Sequence, residues 1–201
     1  MKILNLKLDD SKNYINTSDN STVSKETEIS SSFGNQSLDI DDLNYQIIDS
    51  ISLNLQDIIN ENKSKIKYVI KDIFYLSFVP PISLNDYIKH LFIRTKMNIS
   101  TLIISIIYID IFCHNNNYIL TQNNIYRILL STCLLSIKFN EDNIINNKDY
   151  SEISRVSVDD LKILEFQMYL KLHFSLKVSN KIYDDYYNFF SNFNVNKIKK
   201  V

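Results

Sequence analysis

The sequence predicts an all-α protein. Three observations carry that expectation. Apolar residues recur at three- and four-residue spacing in one segment after another, and no stretch alternates with the period of a strand. Ser83-Leu84-Asn85-Asp86 and Ser157-Val158-Asp159-Asp160 each place an acid three residues after a serine, the pattern of a capped helix start. Pro80-Pro81 stops any helix that precedes it. With 201 residues the chain has room for one domain, or one domain plus extensions.

Residues 1–40 are rich in Ser, Asn, Asp and Thr, bury too little apolar surface to offset ordering entropy, and are expected to be disordered. From Leu43 the pattern changes. Ile47, Ile48, Ile51, Leu55, Ile58 and Ile59 share one helical face, and that helix should end near Asn60 to Asn62. Ile66 to Phe78 reads as helix or a mixture of helix and turn. Residues 41–79 thus form an accessory segment.

Five helices are expected between Ser83 and Leu172. Ser83 caps the first, which ends near Thr95. The second, Ile99 to His114, is apolar nearly all round and should sit inside the others. Thr121 is the expected cap of the third, which runs to about Phe139. Residues 140–150 are a polar connection into a short helical piece at Tyr150 to Ile153. Ser157 caps the fifth, with Leu161, Leu164, Met168 and Leu172 on one side. HFSLKVS should be extended. A last helix, Asn180 to Phe190, carries Tyr183, Tyr186, Tyr187 and Phe190 as a stripe that docks on the bundle. Residues 177–201 form this helix and a tail.

A formal net charge of −1 argues against a nucleic-acid binder, which needs a basic excess. The single Gly, the absent Ala and the abundance of Ile, Asn, Tyr and Lys follow A/T-rich codons, so Asn is often filler here. The start, MKILNLKLDDSKNY, turns polar too soon for a signal peptide, and the apolar run Leu102 to Cys113 is too short to span a bilayer. The expectation is a soluble, intracellular protein, nuclear or cytoplasmic, with no membrane partner.

Little in the chain resembles catalytic chemistry. One Gly, Gly34, makes no phosphate loop. His90, His114 and His173 lack metal-ligand spacing. Cys113 and Cys133 sit in apolar helical runs and read as buried thiols. Adjacent helix residues such as Cys113 and His114 do not face each other. Glu141-Asp142 reads as a solvated helix end. No cofactor, metal or catalytic residue is expected. Two charges stand out because they interrupt apolar helices: Lys138 and Glu165. Alone, Lys138 reads as a complement to a helix C-terminal dipole, and Glu165 as a paired surface residue.

Together the stretches IIYID (Ile106 to Asp110), LLSTCLLSIKF (Leu129 to Phe139) and VSVDDLKILEFQMYLKLHFSL (Val156 to Leu176) resemble a cyclin box. VPPISLNDYIKHL and the Asn-x-x-Tyr that ends at Tyr150 resemble specifically the P- or U-type cyclins, as does the upstream helix. The resemblance covers Pro80 to Leu176 and implies a single five-helix cyclin box over residues 80–176, with accessory N-terminal and C-terminal helices. It implies a non-catalytic regulatory subunit that binds a cyclin-dependent-kinase-like protein kinase through the third and fifth helices, in cell-cycle or related signalling control. Lys138 and Glu165 match the family's Lys and Glu that bond to backbone groups near the start of the kinase's regulatory helix. Phe139, Tyr169, Leu172 and Leu176 match the apolar positions around that contact. The alternative is a cyclin-fold adaptor for a non-kinase partner such as transcription machinery.

The chain departs from the family pattern in places. Asp110-Ile111 stands where Asp-Arg is usual, which removes a basic residue that helps hold the box. Ser105 and Ser136 replace small alanines, with little expected effect. Ser154-Arg155 replaces Gly-Gly, so that turn should differ. The Met-Arg-Ala-Ile-Leu substrate-docking motif is absent near Pro81 to Asn85, and no second box is expected after Leu176.

Overall fold

The structure, a computed structural model, describes residues 36–198. Most of the segment expected to be disordered, residues 1–35, lies outside the described residues. All regular structure among the described residues is helical: α1 (Gln36–Glu61), a 3₁₀ turn (Asn62–Tyr68), α2 (Leu84–Thr95), α3 (Ile99–Asn115), α4 (Ile125–Asn140), α5 (Asn147–Ser154), α6 (Val158–Lys171) and α7 (Asn180–Ile198). Helices α2 to α6 are the five expected between Ser83 and Leu172.

Helix α3 is the axis. Leu102, Ile103, Ile106, Ile109 and Phe112 are fully buried, each contributing about 1.5–3 kcal/mol. Its neighbours are α4, α6 and α7. The two serines that replace alanines spend their hydroxyls inside the core. Ser136 donates to the Thr101 carbonyl across the α3–α4 contact at 2.7 Å, and Ser105 donates to Leu102 at 2.6 Å. A polar atom therefore sits in a tight helix crossing without an unpaired donor. Cys113 and Cys133 are buried free thiols. Burial pushes Cys133 up to about 12, and burial followed by the Asp110 charge pushes Cys113 above the usual thiol range.

Helix α1 begins at Gln36, ahead of the expected Leu43. Once its buried face (Ile47, Ile48, Ile51, Leu55) nucleates the helix, each further turn costs little. It packs on α2 and α7. Lys89 of α2 pairs with Asp49 at 2.8 Å.

Ile66 to Phe78 is the expected mixture of helix and turn, helical only in its first residues. The rest is an irregular strap that inserts Phe74 against Phe112 and Tyr118. It is tied down by Arg127, which donates to the Ile73 carbonyl at 2.7 Å. Thr121 does not cap α4. The helix starts at Ile125, because Thr121 to Asn124 close a turn in which Asn124 Oδ1 accepts from the Thr121 amide. Helix α5 starts at Asn147, not Tyr150, because the Asn146 side chain accepts from two amides of its first turn. HFSLKVS is not extended at its start: His173 and Phe174 have φ of 53° and 59°. The turn at Ser154-Arg155 keeps a left-handed residue, Arg155 at φ 54°.

Glu141 is more than a solvated helix end. Its carboxylate accepts from the Asn98 amide at 2.8 Å and from Thr101 Oγ1 at 2.5 Å. A negative charge from the end of α4 thereby caps the positive end of α3. The remaining predicted caps hold: Ser83 accepts from the Asp86 amide and Ser157 from the Asp160 amide. The α7 stripe also docks as expected, with Tyr186 and Phe190 buried.

Candidate functional site

Lys138 lies in the last turn of α4, and Glu165 lies in the middle of α6. Packing of α4 on α6 buries Leu161, Leu164 and Met168. Glu165 sits one step outside that buried row, so its carboxylate reaches the border of the α4 contact. The structure brings the two residues together. Lys138 Nζ donates to Glu165 Oε1 at 2.6 Å and Oε2 at 2.8 Å. The side chains are 27% and 21% exposed, so the pair is neither free in solvent nor buried.

A third residue completes the group. Lys138 donates to Asn147 Oδ1 at 2.6 Å, and Asn147 Nδ2 donates to Glu165 Oε2 at 3.1 Å. The ammonium has three hydrogens and three acceptors. Asn147 is held in place by its own helix. Tyr150, fully buried on α5, donates its hydroxyl to the Leu130 carbonyl of α4 at 3.0 Å. Sequence reasoning used the Asn-x-x-Tyr spacing but gave Asn147 no role. Its role depends on α5 starting at Asn147, which the polar, Asn-rich connection conceals.

Around the pair is an open groove of about 410 Å³. Leu135, Phe139, Phe166, Tyr169 and Leu176 give it apolar walls, and Lys162 stands at its edge. Phe139 and Phe166 are each 56% exposed. Tyr169 stacks edge-on against Phe174, with ring centroids 4.9 Å apart. Exposed aromatics grouped in this way are a common feature of interaction surfaces. Of the residues the sequence singles out, Phe139, Tyr169 and Leu176 line the groove. Leu172 does not. At 1% exposure it belongs to the hydrophobic core. Phe166 was missed, although it shares a helical face with Lys162 and Tyr169.

The departure at Asp110-Ile111 has a counterpart elsewhere. Asp110 is buried and accepts from the Tyr186 hydroxyl of α7 at 2.5 Å. A tyrosine therefore ties α3 to the C-terminal helix α7. His90 faces the Ile153 carbonyl at 3.0 Å, and no cluster of His, Cys, Asp or Glu among the described residues could hold a metal. No helix among the described residues is long and apolar enough to cross a membrane.

A family model described as Cyclin matches residues 10–176. Cyclin-U2-1 of Arabidopsis thaliana is 27% identical over 109 residues, which is 54% of this chain and 49% of that protein. Cyclin-U3-1 of the same plant is 31% identical over 99 residues, 49% of this chain and 45% of its own. Cyclin-P3-1 of Oryza sativa subsp. japonica is 24% identical over 131 residues, 65% and 54%. The chain spans about half the length of the curated relatives it matches. The expected likeness to P- and U-type cyclins is borne out.

Proposed function

The chain belongs to the cyclin family, and from that premise we propose that it is the regulatory, activating subunit of a cyclin-dependent-kinase-like protein kinase. The observation that carries this reading is the Lys138–Glu165 pair within a groove walled by exposed aromatics. A helix N-terminus offers unpaired N–H donors, which suit the Glu165 carboxylate. Exposed backbone carbonyls suit the Lys138 ammonium. In the free chain each charge is satisfied by the other and by Asn147, so neither pays a full desolvation cost before a partner arrives. Docking exchanges some of these bonds for bonds to the kinase. Phe139, Phe166 and Tyr169 then supply apolar area, at about 25 cal/mol per Å² buried.

A kinase regulatory helix seated here is held inward, so that the kinase's own Lys–Glu pair forms and its phosphate-binding residues align. The cyclin contributes positioning and no chemistry. The setting is cell-cycle or related signalling control, inside the cell.

The test is affinity purification from the native cell with identification of the stoichiometric partner. A kinase of the cyclin-dependent class should co-purify with the natural chain and be lost with Lys138→Glu or Glu165→Ala, both variants remaining folded. Retention of the kinase by both variants refutes the proposed face.

A further inference from the structure

A second concavity lies at the opposite end of α4. It has a volume of about 420 Å³, within the range of small-ligand sites. It is lined by Lys63 and Lys67 of the 3₁₀ turn, by Lys71 of the strap, and by Thr121, Gln122 and Asn123, which lead into α4. No Asp or Glu lines it among the described residues.

Three features give this cavity a sign. Residues 63–71 contain four lysines and no acid, in a chain whose net charge is −1. Lys63, Lys67 and Lys71 are exposed, and none forms an ion pair among the described residues. Two of them lie against aromatic rings instead: Lys67 Nζ is 4.8 Å from the Tyr68 centroid, and Lys71 Nζ is 5.6 Å from that of Tyr75. Stacking limits where these ammonium groups go without neutralising them. The positive end of the 16-residue α4 adds to the same field. Thr121 is 8% exposed, and its hydroxyl is buried without a hydrogen-bond partner, so the wall also holds an unspent polar group.

We infer that this cavity binds a phosphoryl group, carried by a peptide or free in solution. A phosphate brings nearly two negative charges and three acceptor oxygens, which match three unpaired ammonium groups better than a single carboxylate does. Val69 and Tyr75 in the wall accommodate the carbon-bearing part of a phosphorylated ligand. From Ile125 to Lys138 the helix runs about 20 Å. A ligand here therefore does not compete with a partner on the Lys138–Glu165 face, and the inference does not depend on that partner being a kinase.

The experiment uses the full chain and its Lys63→Gln/Lys67→Gln/Lys71→Gln variant, whose changes are on exposed side chains and leave the fold intact by circular dichroism. Probes are a fluorescein-labelled degenerate phosphoserine peptide pool, the same pool dephosphorylated, inorganic phosphate and inorganic tripolyphosphate. Saturable binding of at least one phosphorylated probe is expected, weakened about tenfold or more by the triple substitution and by added salt. The dephosphorylated pool should not bind. Preference for the peptide pool or for the inorganic anions identifies the carrier. Absence of saturable binding by every phosphorylated probe, or equal affinity in the triple variant, overturns the inference.

Discussion

The Lys138 ammonium and the Glu165 carboxylate form a two-oxygen ion pair, at 2.6 and 2.8 Å, that joins α4 to α6 across 27 residues of sequence. Asn147 of α5 bonds to both. Three helices of the box therefore meet at one polar point on a largely apolar face. The pair is a structural fastener in the free chain as well as the proposed contact for a partner.

A double-mutant cycle separates those roles. Lys138→Met and Glu165→Gln, singly and together, should show a coupling energy of about 1 kcal/mol in urea unfolding, as befits a partly exposed pair. Asn147→Ala should cost about 1 kcal/mol and weaken partner binding less than either charge change. Strictly additive single effects mean that the pair contributes nothing to the free chain.

Tyr186→Phe should destabilise the protein by about 1–2 kcal/mol, because a buried carboxylate loses a donor while the ring's packing is kept. Chemical denaturation checks this. A change below a few tenths of a kcal/mol shows that Asp110 is satisfied without α7.

Arg155 and Lys96 end α5 and α2 at φ 54° and 56°, in the left-handed region where a side chain clashes with its own backbone. Arg155→Gly and Lys96→Gly should each raise stability by about 1 kcal/mol, read as a higher melting temperature. A lower melting temperature in both variants contradicts the conformational account.

Asp49 is pushed up by burial but held lower on balance by the hydrogen bonds of Lys89 and Asn85 and the Lys89 charge. A carboxylate with a depressed folded pKa stabilises the fold above its unfolded value, 3.8, and loses that contribution as pH falls through the folded value. Because Asp49 is 42% exposed, solvent screening leaves about 0.5 kcal/mol. Asp49→Asn should therefore be less stable than the natural chain at pH 7, with the difference shrinking below about pH 4. A difference that is the same at pH 7 and pH 3 excludes the electrostatic origin.

The sequence by itself determined the helices that bury a strong face or carry a serine cap. The α3 run of Ile and Leu, the Ser83 and Ser157 starts and the α7 aromatic stripe were legible because periodicity and capping are local. It also marked Lys138 and Glu165 as exceptions to their patterns. Where Asn is abundant, helix starts were misplaced. Asn124 and Asn146 set the true starts of α4 and α5, and nothing local distinguishes them from filler. Tertiary structure alone decided that Lys138 and Glu165 share a face, that Asn147 joins them and that Phe166 walls their groove. The physical reason is that helix spacing fixes which side chains share a face of one helix. The rotation of one helix against another is set by packing over the whole core.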